Sequence, residues 1–453
     1  MGTSHGALGL LLGLLTSCAV DEGAPAPGDD PGQDDATEAV CTQGRFRCLA
    51  HVQQRSGRFG ALATSPLGYG PAEIQAAYKI DPDAVVGTPT VGIVIAYGYL
   101  AIESDLAVYR RQFGLPACTI ASGCLKVVNQ QGQTSPLPPE PPPTDDWRTE
   151  QALDLDMVSA ACPKCKILVV QADDNTGDGL LIGQNVAAQL GATVITNSWG
   201  GPEDPTPNPL EVARLEAFFN HPNVAIFAAA GDRGFNDMGD GPSYPATSAH
   251  VISVGGTRLV RDASARGWAE SAWSLGGSAC SLSIPKPAYQ SASPCKFKAT
   301  SDIAAVGDPS TGLAVYNATA LKGPWLPVGG TSASSPIVAA IIAATGNGTA
   351  DGTFFSTSTA KLFDVTSGTN GTCTPDTLLC NAAVGWDGPT GYGTPNAKAL
   401  APVAAPPPAQ PPAPGPDNED VSGGCATSGS GSGAGLVLGL ALLGLRRRRR
   451  RRS

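Results

Sequence analysis

Gly329-Gly330-Thr331-Ser332-Ala333-Ser334-Ser335-Pro336 stands between Trp325-Leu326-Pro327-Val328 and an apolar run from Ile337 to Thr345. The first flank reads as an extended approach and the second as a buried helix closing at Gly346, so Ser332 falls where a helix begins. The glycines permit a tight turn, and Pro336 is expected in the first helical turn, where the missing amide has no internal acceptor to lose. A hydroxyl in that position faces the positive end of the helix dipole, which favours negative charge on it by roughly 0.3 to 1 kcal/mol. These eight residues leave two roles open: a nucleophile at Ser332, or a plain N-cap at Thr331 or Ser332.

Upstream, short Val/Ile-rich runs alternate with helical stretches. Strands are expected at Thr90–Ala96, Lys166–Ala172, Thr193–Ser198 and Val224–Ala230, and helices at Ile102–Phe113, Trp147–Ala161, Leu180–Leu190 and Leu210–His221. Alternation at this spacing implies an α/β fold, a parallel sheet flanked by helices on both faces. Active sites of such sheets lie beyond the carboxyl ends of the strands, where Asn197-Ser198-Trp199-Gly200-Gly201 and Ala230-Gly231-Asp232-Arg233-Gly234 fall. No linker-like break interrupts residues 68–401, which are expected to form one domain.

A serine nucleophile needs a base, and histidine is the usual one. The chain has His5, His51, His221 and His250, none in a His-Gly-Thr-His context. The helix after the proline-rich loop Pro136–Pro143 offers carboxylates instead: Glu150 and Asp154 are four residues apart and share a face. Two carboxylates so placed repel unless they hold a proton between them or face a cation. They are either a general base with its partner or a solvated acidic face. At the end of a central strand, Asp232 could donate to an oxyanion if protonated, a role worth roughly 100- to 1000-fold in rate for one donor; an Asx-turn is the other reading.

Together, Glu150-x-x-x-Asp154, Ala230-Gly231-Asp232-x-Gly234 and Gly330-Thr331-Ser332-Ala333-x-x-Pro336 resemble, in that order, the sedolisin family of serine-carboxyl peptidases. The resemblance extends from about Tyr69 to Pro395. It implies a subtilisin-like fold, Ser332 as nucleophile, Glu150 as base, Asp154 as its carboxylate partner and Asp232 as the oxyanion residue. Ser198, Trp199, Gly200 and Gly201 would line the cleft, where backbone groups pair with an extended peptide. Arg233, turned toward Asp232, would lower its pKa.

The resemblance also implies one calcium ion, Ca2+, in a late segment. Phe363-Asp364-Val365-Thr366-Ser367-Gly368 and Ala383-Val384-Gly385-Trp386-Asp387-Gly388 are similar to the family's site. Calcium prefers oxygen ligands, here the carboxylates of Asp364 and Asp387 and the carbonyls of Val365, Ala383 and Gly385. A Gly-rich turn is the plain alternative.

The ends of the chain speak of export. Residues 1–17 carry the apolar run Leu8–Leu15, too short to span a bilayer and suited to a secretory signal. Leu15-Thr16-Ser17-Cys18 resembles a bacterial lipobox, in which Cys18 is lipidated. Residues 18–40, acidic and rich in Pro, Gly and Asp, read as a disordered tether, and residues 41–67 as a short N-terminal extension. Residues 402–424 form a proline-rich stalk. Residues 425–453, with the apolar run Ala434–Leu445 and arginines from Arg446 to Arg452, resemble a MYXO-CTERM sorting tail. The protein is expected at the cell surface or outer membrane of a Gram-negative bacterium, or released from it.

The sequence has 29 basic and 39 acidic side chains; without the seven tail arginines the acidic excess widens to 17. Such a surface repels nucleic acid, and polypeptides are the expected substrates of a monomer. Apart from Cys18 and Cys425, the cysteines fall into close pairs, 41 with 48, 118 with 124, 162 with 165, 280 with 295 and 373 with 380. Short-range disulfides suit an oxidising compartment; Cys162 and Cys165 have no nearby partners for a zinc site. Other readings are a catalytically silent peptide-binding surface protein, a histidine-based hydrolase and a structural lipoprotein.

Overall fold

The computed structural model describes residues 1–2, 37–54, 65–239, 241–320 and 323–402. The expected signal, Cys18, most of the acidic tether, the stalk beyond residue 402 and the arginine-ended tail lie outside the described residues.

An eight-stranded sheet forms the centre. Its order is Trp268–Ala272, Ile252–Arg261, Ala225–Ala229, Val194–Asn197, Thr90–Ala96, Lys166–Ala172 and Leu125–Asn129, and Ile303–Val306 also pairs with Ile252–Arg261. All these neighbours run parallel except Trp268–Ala272, which is antiparallel to Ile252–Arg261. Every residue of Val91–Ala96, Ile167–Ala172 and Ala225–Ala229 is buried, so these strands are covered on both faces, as their largely apolar sequences require. Helix Gly179–Gln189 packs on Thr90–Ala96 and Lys166–Ala172; Thr331–Ala344 packs on Val194–Asn197, Ala225–Ala229 and Ile303–Val306, and against helix Trp147–Ala161. The fold is the expected α/β arrangement with a central, mostly parallel sheet.

The expected strands and helices all form, with ends displaced by a few residues. The largest displacement is at Leu210–His221, where the helix is Pro209–Ala217. Asn208 caps it through Leu210 N–H, and buried Phe219 turns the chain inward after it.

Two expectations need correction. Helix Thr331–Ala344 starts at Thr331, with Gly330 as its N-cap at φ +103°, so neither Thr331 nor Ser332 is the cap and Pro336 is the sixth helical residue. The amide it lacks would have bonded the Ser332 carbonyl; that oxygen instead accepts the Ser198 hydroxyl at 3.1 Å. The second concerns the N-terminal region. Thr37–Ala39, assigned to the tether, is a strand that pairs antiparallel with His51–Gln53, and His51–Gln53 pairs with Trp325–Gly329, the strand leading to Ser332. The extension is thus part of the fold. Arg47–Cys48 adds to Trp199–Pro202, which also pairs with Ser243–Tyr244.

All five expected disulfides form: Cys41–Cys48, Cys118–Cys124, Cys162–Cys165, Cys280–Cys295 and Cys373–Cys380.

Candidate active site

The site is assembled from four elements that the fold brings together. Val194–Asn197 ends at Ser198, Ala225–Ala229 ends shortly before Asp232, and helices Trp147–Ala161 and Thr331–Ala344 present Glu150, Asp154 and Ser332. Glu150, Asp154 and Ser332 have no solvent exposure and Asp232 has 2 %. That burial excludes the solvated acidic face.

Burial sets the electrostatics. It raises the Glu150 carboxyl well above the usual range; the neighbouring Asp154 adds to the rise and the Ser332 hydroxyl offsets part of it. Burial likewise raises Asp154, against a hydrogen bond from Ser198 Oγ at 2.5 Å. A pair of carboxyls so disfavoured as anions retains a proton. Although Glu150 is near enough to feel the Ser332 hydroxyl, neither of its oxygens meets hydrogen-bond geometry with any group. In this state the Ser332 hydroxyl points to the Ser198 carbonyl at 3.1 Å.

Asp232 binds across the site rather than forming a local turn. Its Oδ1 accepts the Thr331 N–H and the Thr331 hydroxyl, both at 2.7 Å. Its Oδ2 makes no hydrogen bond and lies 3.5 Å from His51 Nε2. Burial raises Asp232 to about 7, despite the Thr331 bonds. The expected lowering by Arg233 does not occur: Arg233 is directed to Asp237, with Nε 3.5 Å from its carboxylate. His51 is pushed down to about 4 by burial and is neutral near neutrality.

Gly200 and Gly201 line the cavity beside Asp232, and Trp199 and Gly200 are paired with Cys48 and Arg47. The Trp199 indole is not in the cleft: it is buried, donates to the Val94 carbonyl at 2.8 Å and packs edge-on against Phe46. Leu49 follows. Its N–H is shared between the Ser332 hydroxyl oxygen at 3.0 Å and the Ser198 carbonyl at 3.2 Å, and its carbonyl accepts the Ser332 N–H at 3.0 Å. A β-carbon on Gly330 would lie 2.1 Å from the Leu49 oxygen and 2.6 Å from Asp232 Oδ2, so glycine opens the space in which these two oxygens meet. Leu49 and His51 carry no motif that sequence reading could use; the Cys41/Cys48 pair just before Leu49 was the available signal.

In the late segment, Asp387 is buried, with Oδ2 accepting the Ala383 N–H at 2.9 Å and Oδ1 the Thr390 N–H at 2.8 Å. Asp364 accepts the Gly385 N–H at 3.0 Å. Burial raises Asp387 to about 7, and the charge of Asp364 adds to the rise. No cluster of three or more His, Cys, Asp or Glu side chains suited to a metal occurs among the described residues.

The sequence profile of the subtilase family matches residues 145–385, more than half of the chain and a span that includes Glu150, Asp154, Asp232 and Ser332. The chain belongs to the subtilase family. This subtilase is 30 % identical over 375 residues to kumamolisin from Bacillus sp. (strain MN-32), covering 76 % of the chain and 65 % of that protein. It is 27 % identical over 391 residues to sedolisin from Pseudomonas sp. (strain 101), covering 77 % of the chain and 63 % of that protein. It therefore spans just under two thirds of the length of each of these two relatives. Among solved structures, Pseudomonas sedolisin, described as a serine-carboxyl proteinase complexed with two molecules of pseudo-iodotyrostatin, superposes with a TM-score of 0.60 at 23 % identity. That match covers 75 % of the subtilase and 98 % of the solved chain, and it supports the fold.

Proposed function

We propose that this subtilase is a serine-carboxyl endopeptidase that cleaves polypeptides with Ser332 as nucleophile. One observation carries the reading: a fully buried glutamate, with both oxygens unpartnered, stands beside a serine hydroxyl at the start of a helix. Glu150 takes the Ser332 proton as Oγ attacks the scissile carbonyl, then delivers it to the departing amine; water repeats the cycle on the acyl-enzyme. Burial gives Glu150 a proton affinity that a solvated carboxylate lacks. Asp154, held by Ser198, is a positioning residue that raises that affinity further.

The oxygen of the tetrahedral intermediate would occupy the place now held by the Leu49 oxygen, receiving the Ser332 N–H and a proton from Asp232 Oδ2. Asp232 donates only when protonated, so activity favours acid and declines as pH rises through about 7. The substrate backbone would pair with Ser198–Gly201.

Calcium belongs to the same reading. Burial raises Asp387 and the charge of Asp364 adds to the rise, which suits a hard cation beside it. Their carboxylates, with the carbonyls of Val365, Ala383 and Gly385, would hold the ion, which would stiffen the late segment. We further propose export by residues 1–17 and anchoring through Cys18 or the C-terminal tail, with the protein acting as a monomer and binding no nucleic acid.

The test is cleavage of a denatured protein by the purified chain with calcium, from pH about 3 to about 8, beside Ser332→Ala and Glu150→Gln. Acid-weighted cleavage lost in both variants is expected. A folded, calcium-bound protein that cleaves nothing would favour the silent peptide binder.

A further inference from the structure

The cavity beside Asp232, about 190 Å3, is lined in part by two strips of backbone, residues 231–234 and residues 277–279. The strips meet edge to edge. Gly277 N–H donates to the Gly231 carbonyl at 2.7 Å, Gly234 N–H to the Leu275 carbonyl at 2.8 Å and Asn236 N–H to the Ser278 carbonyl at 2.7 Å. Glycines at 231, 234, 276 and 277 leave this seam without side chains to brace it.

Asn370, from the late segment, crosses the seam. Its carbonyl accepts the Phe235 N–H at 2.8 Å on the first strip, and its Nδ2 donates to the Gly276 carbonyl at 2.6 Å and to Ser278 Oγ at 2.8 Å on the second. A β-carbon on Gly234 would lie 2.5 Å from the Asn370 carbonyl oxygen, so the segment is pressed against the seam. Asn370 N–H donates to the Cys380 carbonyl at 3.0 Å, Ser278 Oγ donates to the Leu379 carbonyl at 2.7 Å, and the Cys373–Cys380 disulfide closes the loop behind both bonds. The amide is 3 % exposed, and its Oδ1 has no hydrogen-bond partner among the described residues. A buried amide oxygen left unpaired is costly, which marks the side chain as held for what its nitrogen does.

Leu49, whose carbonyl accepts the Ser332 N–H, lines the same cavity. A substrate residue whose carbonyl took that place would send its side chain there. Gly200, Ala230, Gly277 and Ala279 offer that side chain no charge, and Arg233 and Asp237, 3.5 Å apart, answer each other.

From this we infer that Asn370 is a positioning residue for substrate selection. By tying the two strips together it fixes the shape of the cavity, and with it a preference for an apolar, leucine-sized side chain on the acyl side of the cut bond. The inference rests on the proposed peptidase reading and adds a residue outside the motifs that carry Ser332, Glu150, Asp154 and Asp232.

The test is digestion of reduced, alkylated serum albumin by the full-length chain with calcium, from pH about 3 to about 6, with cut sites followed by mass spectrometry. Sites compete within one digest, so their initial rates report relative kcat/KM. Wild type is expected to cut after leucine in preference to alanine at every pH. Asn370→Ala, which removes the donors, should lower that leucine-to-alanine ratio about tenfold. Asn370→Asp keeps the size of the side chain; its carboxylate opposes the Gly276 carbonyl, whereas its protonated form donates to it. That variant should therefore regain the ratio as pH falls through about 4, a response that a merely structural role would not give. Circular dichroism checks folding at each pH, and if Asn370→Ala does not fold, Asn370→Asp decides. Wild type that cuts without preferring leucine, an unchanged ratio in Asn370→Ala, or a ratio in Asn370→Asp that ignores pH overturns the inference and leaves the peptidase reading standing. Wild type that leaves albumin intact overturns both.

Discussion

The carbonyl oxygen of Ser332, deprived of its helical donor by Pro336 four residues later, accepts the hydroxyl of Ser198 at 3.1 Å. The same hydroxyl lies 2.5 Å from Asp154, so the proline couples the start of the nucleophile helix to the carboxyl pair.

Pro336→Ala restores an N–H that competes with Ser198 for that carbonyl. The helix gains a bond, so the melting temperature is expected to hold or rise. The turnover number should fall about three- to tenfold, the effect of weakening one hydrogen bond worth about 1 kcal/mol, with little change in KM. Thermal melts and steady-state kinetics on one peptide check both.

Asp232 titrates near 7 in the folded protein because it is buried, against the ordinary 3.8. A carboxyl raised in this way contributes stability that is fully present below its unfolded value and is lost as pH rises through about 7. Glu150 and Asp154 act in the same direction. The melting temperature is therefore expected to fall from pH about 4 to about 7, and Asp232→Asn to flatten part of the slope. Because an amide donates at every pH, that variant should also lose the alkaline decline of kcat, even at reduced rate.

Gly330→Ala places a methyl group on the Leu49 oxygen and on Asp232, at a backbone with φ +103°. A 100-fold or larger loss of kcat is expected, comparable to removal of an oxyanion donor, with a lowered melting temperature. Activity within threefold of wild type would place the oxyanion elsewhere.

Calcium should raise the melting temperature by binding the folded state alone, and a chelator should reverse the rise. Asp364→Ala is expected to abolish the response to calcium while leaving the chelated protein close to wild type. The comparison of four melts decides it.

Strand and helix order were legible because Thr90–Ala96 and Lys166–Ala172 are Val/Ile-rich runs, the signature of strands buried on both faces. Glu150, Asp154, Asp232 and Ser332 stood out because the three motifs that carry them resemble, in that order, the sedolisin family; each motif alone left a plain structural reading open. What escaped were relations between distant residues. Leu49 meets Ser332 across 283 positions, and nothing local to either marks the meeting. The position of Pro336 escaped for a similar reason: the loss of its amide is tolerated because Ser198, just beyond the strand Val194–Asn197, supplies the donor.

Thr37–Ala39 and His51–Gln53 lie on opposite sides of Leu49–Ala50 yet pair with each other. Among the described residues no disulfide crosses that bond, since Cys41 and Cys48 both precede it. The loop that reaches Ser332 is therefore fastened at its base by a three-residue strand pair and not by a covalent cross-link, so its hold on the site follows the strength of that ladder.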